Sequence, residues 1–453
     1  MTITSIISAI GNNSSIYPLL VRDCGIEVPT KILLTYDQNK KESKKVAKLA
    51  ARERFLDEYS VSAVWLGGIP LVGGIADWVI KKTGYSPKVN LKLFNKNSAQ
   101  NIEENIKKFA GKVPQKVIDE LEKVKNNKAT YEKLLAGKFL ASTLIPVAFM
   151  GFILPKVIFA SSAKKIEKQR TLEKQQKVAT TAFGAKNGFE NSINFMNKKQ
   201  VSFKGGWIPT VANFSTVDKM FATDGGYAVG RVMTARNKNE AIDVGFKMTM
   251  MMFLNFIAPK YIAKYLDKFI GKAAGLDVAL DPLMINDKEF LQAIKDNILK
   301  YLPEGNSEQQ ILDFIDKNPN SLFTKFANKF EKIKLIEKEG IAPKSMTERF
   351  KQLFKKKSPI KNPVRDPRAY VDIDNLVKFV EDIKSFAQNA LKSQSLEAYA
   401  KKAKIVKSIN ILTNIGLSSF LLAYALPKAQ FAFRKLVTGS ELEPGLANAA
   451  DDK

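Results

Sequence analysis

Four long apolar runs stand out from a chain whose other segments place apolar residues at helical spacing between charged ones. The first, Val61 to Ile80, carries Gly67, Gly68, Pro70, Gly73 and Gly74, with a single charge at Asp77. The second runs without a charge from Phe139 to Pro155, between Lys138 and Lys156, and continues apolar to Ala163. The third, Val244 to Ala263, is Met-rich and interrupted by Lys247 and Lys260. The fourth, Ser408 to Pro427, is uncharged and lies between Lys407 and Lys428. A helix that crosses a bilayer needs about 20 predominantly apolar residues. The fourth run meets that outright, and the second does so once Lys156 snorkels. Gly pairs around a Pro also suit a re-entrant hairpin or a buried loop in the first run. The competing reading of all four is the core of a large soluble helical domain. The pattern favours a mainly α, membrane-associated helical protein with Pro-kinked apolar helices and soluble amphipathic helices.

Three of the runs share an ending: an aromatic, two apolar residues, then Pro-Lys. They read Phe152-Ile-Leu-Pro155-Lys156, Phe256-Ile-Ala-Pro259-Lys260 and Tyr424-Ala-Leu-Pro427-Lys428. Each continues as an amphipathic tail with more basic residues: Lys164 and Lys165, Lys264 and Lys268, Arg434 and Lys435. Proline inside a helix removes a backbone hydrogen bond and kinks the axis. The expectation is therefore that Pro155, Pro259 and Pro427 bend apolar helices at the membrane interface. Lys156, Lys164, Lys165, Lys260, Lys428, Arg434 and Lys435 would then meet lipid headgroups. The echo fits an ancient duplication or convergent helix ends in a Lys-rich chain, since Ile341-Ala-Pro343-Lys344 repeats the tetrapeptide in a polar setting. Both flanks of nearly every run are basic, so the positive-inside rule assigns no orientation. Helical hairpins and monotopic insertion fit those flanks as well as simple spanning.

Between the runs the pattern predicts soluble helices. Asn286 with Glu289, and Ser307 with Gln310, resemble capping boxes, each followed by apolar residues at helical spacing. Together they suggest a small bundle over roughly Asp281 to Leu335. Leu376, Phe379, Val380, Ile383, Phe386, Ala387 and Ala390 mark a long amphipathic helix leading to the fourth run. Ser345 to Arg368, with Lys355, Lys356, Lys357, Pro359, Pro363 and Pro367, reads as a mobile basic linker. Thr180 to Asn237 is rich in Gly, Asn and Ser and reads as a break, with short strands around Val201–Phe203 and Tyr227–Thr234. The divisions that follow are 1–60, an N-terminal segment with a basic amphipathic helix; 61–165, a first membrane-associated region; and 166–240, a basic connector. Next come 241–275, the Met-rich helix; 276–340, the small bundle; and 341–370, the linker. An amphipathic helix leading into the apolar C-terminal helix takes 371–440, and 441–453 is a polar tail.

Composition sharpens this picture in two ways. Apolar residues make up 45% of the 453 positions, an ordinary globular value, so any membrane region is a minority of the chain. The formal net charge of +27 points to a polyanionic neighbour. Arg fills only ten of the 72 basic positions. Base-reading proteins lean on the bidentate Arg fork, so the Lys bias counts against sequence-specific nucleic-acid recognition and suits a polybasic membrane face. Histidine is absent, which removes the commonest general base and metal ligand. The lone Cys24 excludes an intramolecular disulfide and any CxxC metal site. The N-terminus has no basic stretch ahead of its short apolar run, so insertion is expected to use internal helices.

Candidate chemistry is sparse, and no cofactor or metal is expected. Gly225-Gly-Tyr-Ala-Val-Gly230-Arg231 lacks the Gly-Lys-Ser/Thr ending of a phosphate loop and reads as a turn, as do Lys204–Trp207 and Phe183–Gly188. Trp65 and Trp78 fit an interfacial belt or plain core packing. Asp77 is the candidate buried acid, because a carboxylate in an apolar run is costly and often functional; the bland alternative is an interfacial pair with Lys81 or Lys82. Glu103 with Glu104, and Asp372 with Asp374, read as solvated helix faces. The expected function is a non-enzymatic structural or interaction protein that contacts anionic lipid through Lys-rich helix ends. The alternatives are a basic protein that binds nucleic acid non-specifically, and a membrane-bound enzyme acting on lipid through Asp77.

Overall fold

A computed structural model describes residues 3–11, 20–41, 43–178, 212, 216–338 and 360–446. Helix accounts for 77% of the chain, and the sheet among the described residues is a single two-stranded ribbon, so the fold is mainly α. In chain order the helices are α1 (Ile3–Gly11), α2 (Val28–Lys40), α3 (Lys44–Ala63), α4 (Ile69–Lys82), α5 (Ile102–Phe109) and α6 (Gln115–Asn126). Then follow α7 (Lys128–Ala148), α8 (Leu154–Val178), α9 (Thr216–Met233), α10 (Lys238–Phe256) and α11 (Ala258–Ala274). After these come α12 (Pro282–Ile285), α13 (Lys288–Lys295), α14 (Glu308–Lys317) and α15 (Leu322–Lys329). The ribbon pairs β1 (Leu335–Glu337) with β2 (Pro363–Arg365), antiparallel, Ile336 opposite Val364. The chain closes with α16 (Ile373–Leu391), α17 (Leu396–Phe420) and α18 (Leu426–Thr438).

Local chemistry sets many of these boundaries. Ser43 caps α3 by accepting from the Val46 amide, and Ser307 with Gln310 forms the expected capping box on α14. At α13 the cap is Asp287, not Asn286; Asn286 instead closes α12. Asp287, one residue nearer the helix, accepts from the Glu289 and Phe290 amides directly. Gly439 ends α18 at φ +74, a left-handed conformation that glycine adopts without Cβ strain.

The chain divides into two compact units, and it passes from one to the other within each of its four long apolar helices. The first unit comprises Met1–Val21, Gly74–Lys138 and Phe256–Ser418. Its core is built from α12 to α17, with Phe290, Ile311, Phe323, Leu376, Val380 and Phe386 almost wholly buried. Every apolar position that marked the long amphipathic helix is on the buried face of α16. Residues 90–105 dock onto this core through main-chain mimicry. The Gln100 amide accepts from the Val371 N–H and donates to its carbonyl, both at 2.8 Å, and Asn105 donates to the Pro367 carbonyl at 2.9 Å.

The end of the expected linker is not loose. Pro363 and Arg365 belong to β2, and Arg365 is 1% exposed. Its guanidinium pairs with Asp316 at 2.8 Å and stacks 4.8 Å from the Phe109 ring centre. Arg368 pairs with Asp366 and Glu120. Charge composition alone made this stretch look solvated; the partly buried Asp316 and Glu120 on distant segments, with the local Asp366, hold it. Residues 339–359, including Lys355 to Lys357, lie outside the described residues.

The second unit comprises Arg22–Gly73, Phe139–Asn255 and Ser419–Lys453. Here α9 replaces the expected turn at Gly225–Arg231 and the expected strand at Tyr227–Thr234. The glycines are explained by close packing. A Cβ on Gly230 would lie 2.8 Å from the Gly151 Cα, and one on Gly226 would meet the Val147 methyls at 3.0 Å. Glycine at i and i+4 lets two helix backbones approach, which outweighs its poor helix propensity. The strand expected at Val201–Phe203 and the turns at Phe183–Gly188 and Lys204–Trp207 lie outside the described residues.

Candidate functional site

Each apolar run sits in one long helix: Lys44–Lys82, Lys128–Lys168, Lys238–Gly271 and Leu396–Thr438, of 39, 41, 34 and 43 residues. At 1.5 Å per residue all exceed the roughly 30 Å hydrocarbon thickness. At most 44% of the most apolar 18-residue stretch in any of them is buried. The exposed side chains recur at helical spacing. The first helix presents Leu71, Ile75, Trp78 and Val79; the second, Ile145, Phe149, Ile153 and Val157. Ile257, Tyr261, Tyr265 and Phe269 form an i+4 ladder on the third, and Ile405, Ile409, Leu412, Phe420 and Tyr424 line the fourth. Soluble monomers rarely expose apolar faces on this scale.

The prolines lie beside locally widened turns. A π-helical turn covers Phe149–Ile153 just before Leu154-Pro155, and another covers Leu421–Ala425 before Leu426-Pro427. In both the amide preceding proline bonds five residues back, to the Phe149 and Leu421 carbonyls. The helix then continues, because proline's missing N–H falls where the wide turn has already displaced the ladder. Val64–Gly68 ahead of Ile69-Pro70 repeats the arrangement, a third case, which the Pro-Lys pattern missed. Pro259 instead opens α11 after a break at Ile257. Near Pro155 the Thr234 hydroxyl lies 3.1 Å from the Gly151 carbonyl, a group whose helical donor the proline lacks.

The expected headgroup lysines Lys156, Lys164, Lys165, Lys260, Lys428 and Lys435 are all exposed. Arg434 is not: it is wholly buried, donating to Asp243 at 2.9 and 3.1 Å and pairing with Glu443 at 2.9 Å. It is an internal tie, and headgroups have no access to it. Asp77 is partly exposed and pairs with Lys138 at 2.5 Å, so it is neither a deeply buried acid nor a partner of Lys81 or Lys82. Trp65 packs against the core around Met150, Tyr227 and Met248, whereas Trp78 is exposed with Lys82 over its ring. Glu103 pairs with Lys125 and Glu104 with Lys107, all at the surface, and Asp372 caps α16.

Arg434 belongs to a buried charge cluster in the second unit that sequence reasoning missed. Glu53, Arg54, Asp57 and Glu58 share one face of α3. Across from them Arg236 grips Glu53 in a two-bond fork at 3.0 Å and also pairs with Glu240. Arg231 reaches Asp57 at 3.1 Å, and Lys247 reaches Glu58 at 3.0 Å. Lys31 lies between Glu27 and Glu58; burial works against its charge, and the two carboxylates outweigh that to raise its pKa. Six basic groups thus face seven carboxylates. Asp57 Oδ1 and Arg231 Nε, on residues that line the cluster's cavity, have no hydrogen-bond partner among the described residues. That cavity is about 40 Å³, room for a water molecule or so and not for a metabolite.

Asp224, on α9, was also missed. It is 9% exposed, and burial, reinforced by the Asp23 charge, pushes its carboxyl up to about 7. Among the described residues no group of three or more Cys, Asp or Glu side chains could hold a metal ion.

These features define a class: a mainly α protein carrying four helices long and apolar enough to cross a membrane, with largely exposed apolar faces. No family model, no curated protein and no solved structure matches the chain.

Proposed function

We propose that the chain is an integral membrane protein whose four apolar helices cross the bilayer, and that its role is structural or interactive, with lysines at the helix ends set against anionic headgroups. The observation that carries this reading is the set of exposed apolar ladders on all four helices. Each exposed Leu, Ile or Phe side chain moved from water into lipid gains on the order of 1.5–3 kcal/mol, so the ladders strongly favour a bilayer over water. Chain parity supports four crossings. Two crossings separate residues 83–127 from 272–395, which therefore share a side of the membrane, and these segments do pack together through Gln100, Asn105 and Lys108.

Fractionation tests the reading. Membranes washed in carbonate at high pH and then in concentrated salt should retain the protein, with release by detergent alone; release by either wash would overturn it. In a Cys24→Ser background, single cysteines at Lys96 and Lys300 should react with an impermeant maleimide from the same side. So should a pair at Lys41 and Lys238. Members of a pair labelled from different sides would rule out four crossings.

A further inference from the structure

We infer that α11 carries the site at which this protein selects anionic phospholipid, a refinement that rests on the membrane reading above. The three Pro-Lys tails look alike in sequence and differ in structure. On α18, Arg434 is buried in ion pairs and Lys435 is taken by Glu441 at 3.1 Å, leaving Lys428. On α8, Lys156, Lys164 and Lys165 are exposed, but Ala160 interrupts the i+4 line from Lys156 to Lys164, Lys165 lies off it, and no exposed aromatic accompanies Lys164 or Lys165. α11 differs on both counts. Lys260, Lys264 and Lys268 follow one another at i+4, all exposed, and none has a carboxylate partner among the described residues. The row beside them is Tyr261, Tyr265 and Phe269, exposed by 58%, 65% and 65%, with the last two rings stacked at 5.6 Å.

The one acid on this helix cannot neutralise the lysines, because Asp267 is already held by Lys407 at 2.7 Å and Asn410 at 2.9 Å. Successive i+4 positions rise about 6 Å, so three ammonium groups form a ladder flanked by aromatic rings. Tyr and Phe rings settle where acyl chain meets headgroup, and lysine stems there reach outward along apolar surface to place their charge among phosphates. The occupant that matches both rows is an anionic phospholipid: acyl chains against the rings, headgroup phosphate against the lysines.

The test uses the full protein reconstituted in mixed vesicles of dioleoylphosphatidylcholine and dioleoylphosphatidylglycerol, with spin-labelled forms of each lipid as probes. The readout is the preference for phosphatidylglycerol over phosphatidylcholine among motionally restricted lipids. A lysine near an anionic surface is worth roughly a factor of five in binding, so the triple variant Lys260→Gln/Lys264→Gln/Lys268→Gln should lose at least about that factor of preference. Lys156→Gln/Lys164→Gln/Lys165→Gln removes the same charge from α8 and should lose clearly less of the preference than the α11 variant, because no exposed aromatic row holds acyl chains beside Lys164 and Lys165. Equal losses in both variants, or no loss in the first, would overturn the α11 site. Carbonate extraction of the unmodified protein separates the two levels: extraction would remove the membrane reading itself, whereas retention with unchanged selectivity would remove only the α11 assignment.

Discussion

Replacing Arg434 by Met separates the two places this side chain could occupy. In the structure its Nε and Nη2 donate to Asp243, Nη1 donates to the Glu441 carbonyl, and Nη2 lies 2.9 Å from Glu443. Methionine roughly conserves the volume and removes all of these bonds. Asp243, itself 2% exposed, then keeps only Gln430 as a hydrogen-bond partner among the described residues, at 2.7 Å. Stranding one member of a buried ion pair costs about 3–5 kcal/mol. For a body of this size each kcal/mol is worth about 2–4 °C, so Arg434→Met should lower the melting temperature by roughly 6–20 °C. Removing both charges, Asp243→Leu with Arg434→Met, should recover most of the loss, because a buried pair replaced by apolar residues is often close to neutral. The assay is thermal unfolding of detergent-solubilised protein followed by helix circular dichroism at one fixed scan rate, which keeps irreversible unfolding comparable between variants. An arginine among lipid headgroups would behave as a surface position, within about ±0.5 kcal/mol. A melting shift under about 2 °C for the single variant, or a double variant no better than the single, would refute the buried tie.

Two further predictions concern α9. Gly230→Ala places a methyl 2.8 Å from the Gly151 Cα and should cost about 1–3 kcal/mol. Gly225→Ala meets only the end of Met252 at 3.9 Å and should stabilise by up to about 1 kcal/mol through helix propensity. The opposite signs are read from melts of the two variants side by side, and destabilisation of both would discard the close contact with Gly151. Asp224 sets a pH dependence. Its folded value of about 7 lies above the ordinary carboxyl range, so between the two values the folded protein holds a proton that the unfolded chain has lost. Stability attributable to this group is therefore complete in acid, falls by about 1.4 kcal/mol per pH unit as pH rises toward neutrality, and levels off above it. Asp224→Asn should remove that slope and be the more stable form at pH 8; parallel melting curves across the range for both proteins would show that Asp224 is not buried as described.

What the sequence made legible follows from periodicity. The buried face of α16 could be read residue by residue, because Leu376, Phe379, Val380, Ile383, Phe386, Ala387 and Ala390 are apolar at helical spacing against a charged opposite face. The positions of the four apolar helices were readable from their uncharged runs, but not their lengths, since the helices of 34 to 43 residues extend well beyond those runs into charged sequence. Glycine misled the reading at α9, where Gly226 and Gly230 resemble a turn unless the helix they press against is known. The charge cluster was hidden by an ambiguity of kind. Arg236, Glu240, Asp243 and Lys247 recur at i, i+4, i+7 and i+11, and Glu53, Arg54, Asp57 and Glu58 also share a helical face. A charged stripe at that spacing ordinarily faces water. Here the two stripes face each other, and the ion pairs join residues more than 170 positions apart, as in Asp57 with Arg231 and Glu53 with Arg236.

Nothing local in either stripe distinguishes a solvated face from half of an internal one. The distinction lies in complementarity between segments, since burying either stripe alone would leave several charges without partners and cost far more than a fold can offset. Arg434 is the same case in miniature. Its neighbours Lys428 and Lys435 are exposed, while one helical face away Gln430 and Arg434 meet Asp243. The residue type carries a weak hint, because Arg is scarce in this chain and six of its ten copies, Arg54, Arg231, Arg236, Arg365, Arg368 and Arg434, sit in buried or largely buried ion pairs. Most lysines among the described residues are at the surface, Lys31 and Lys247 excepted, whereas these arginines sit where a planar fork can meet a carboxylate. That selects internal carboxylate partners over lipid, and it makes the Arg434→Met measurement a test of the whole cluster as well as of one bond.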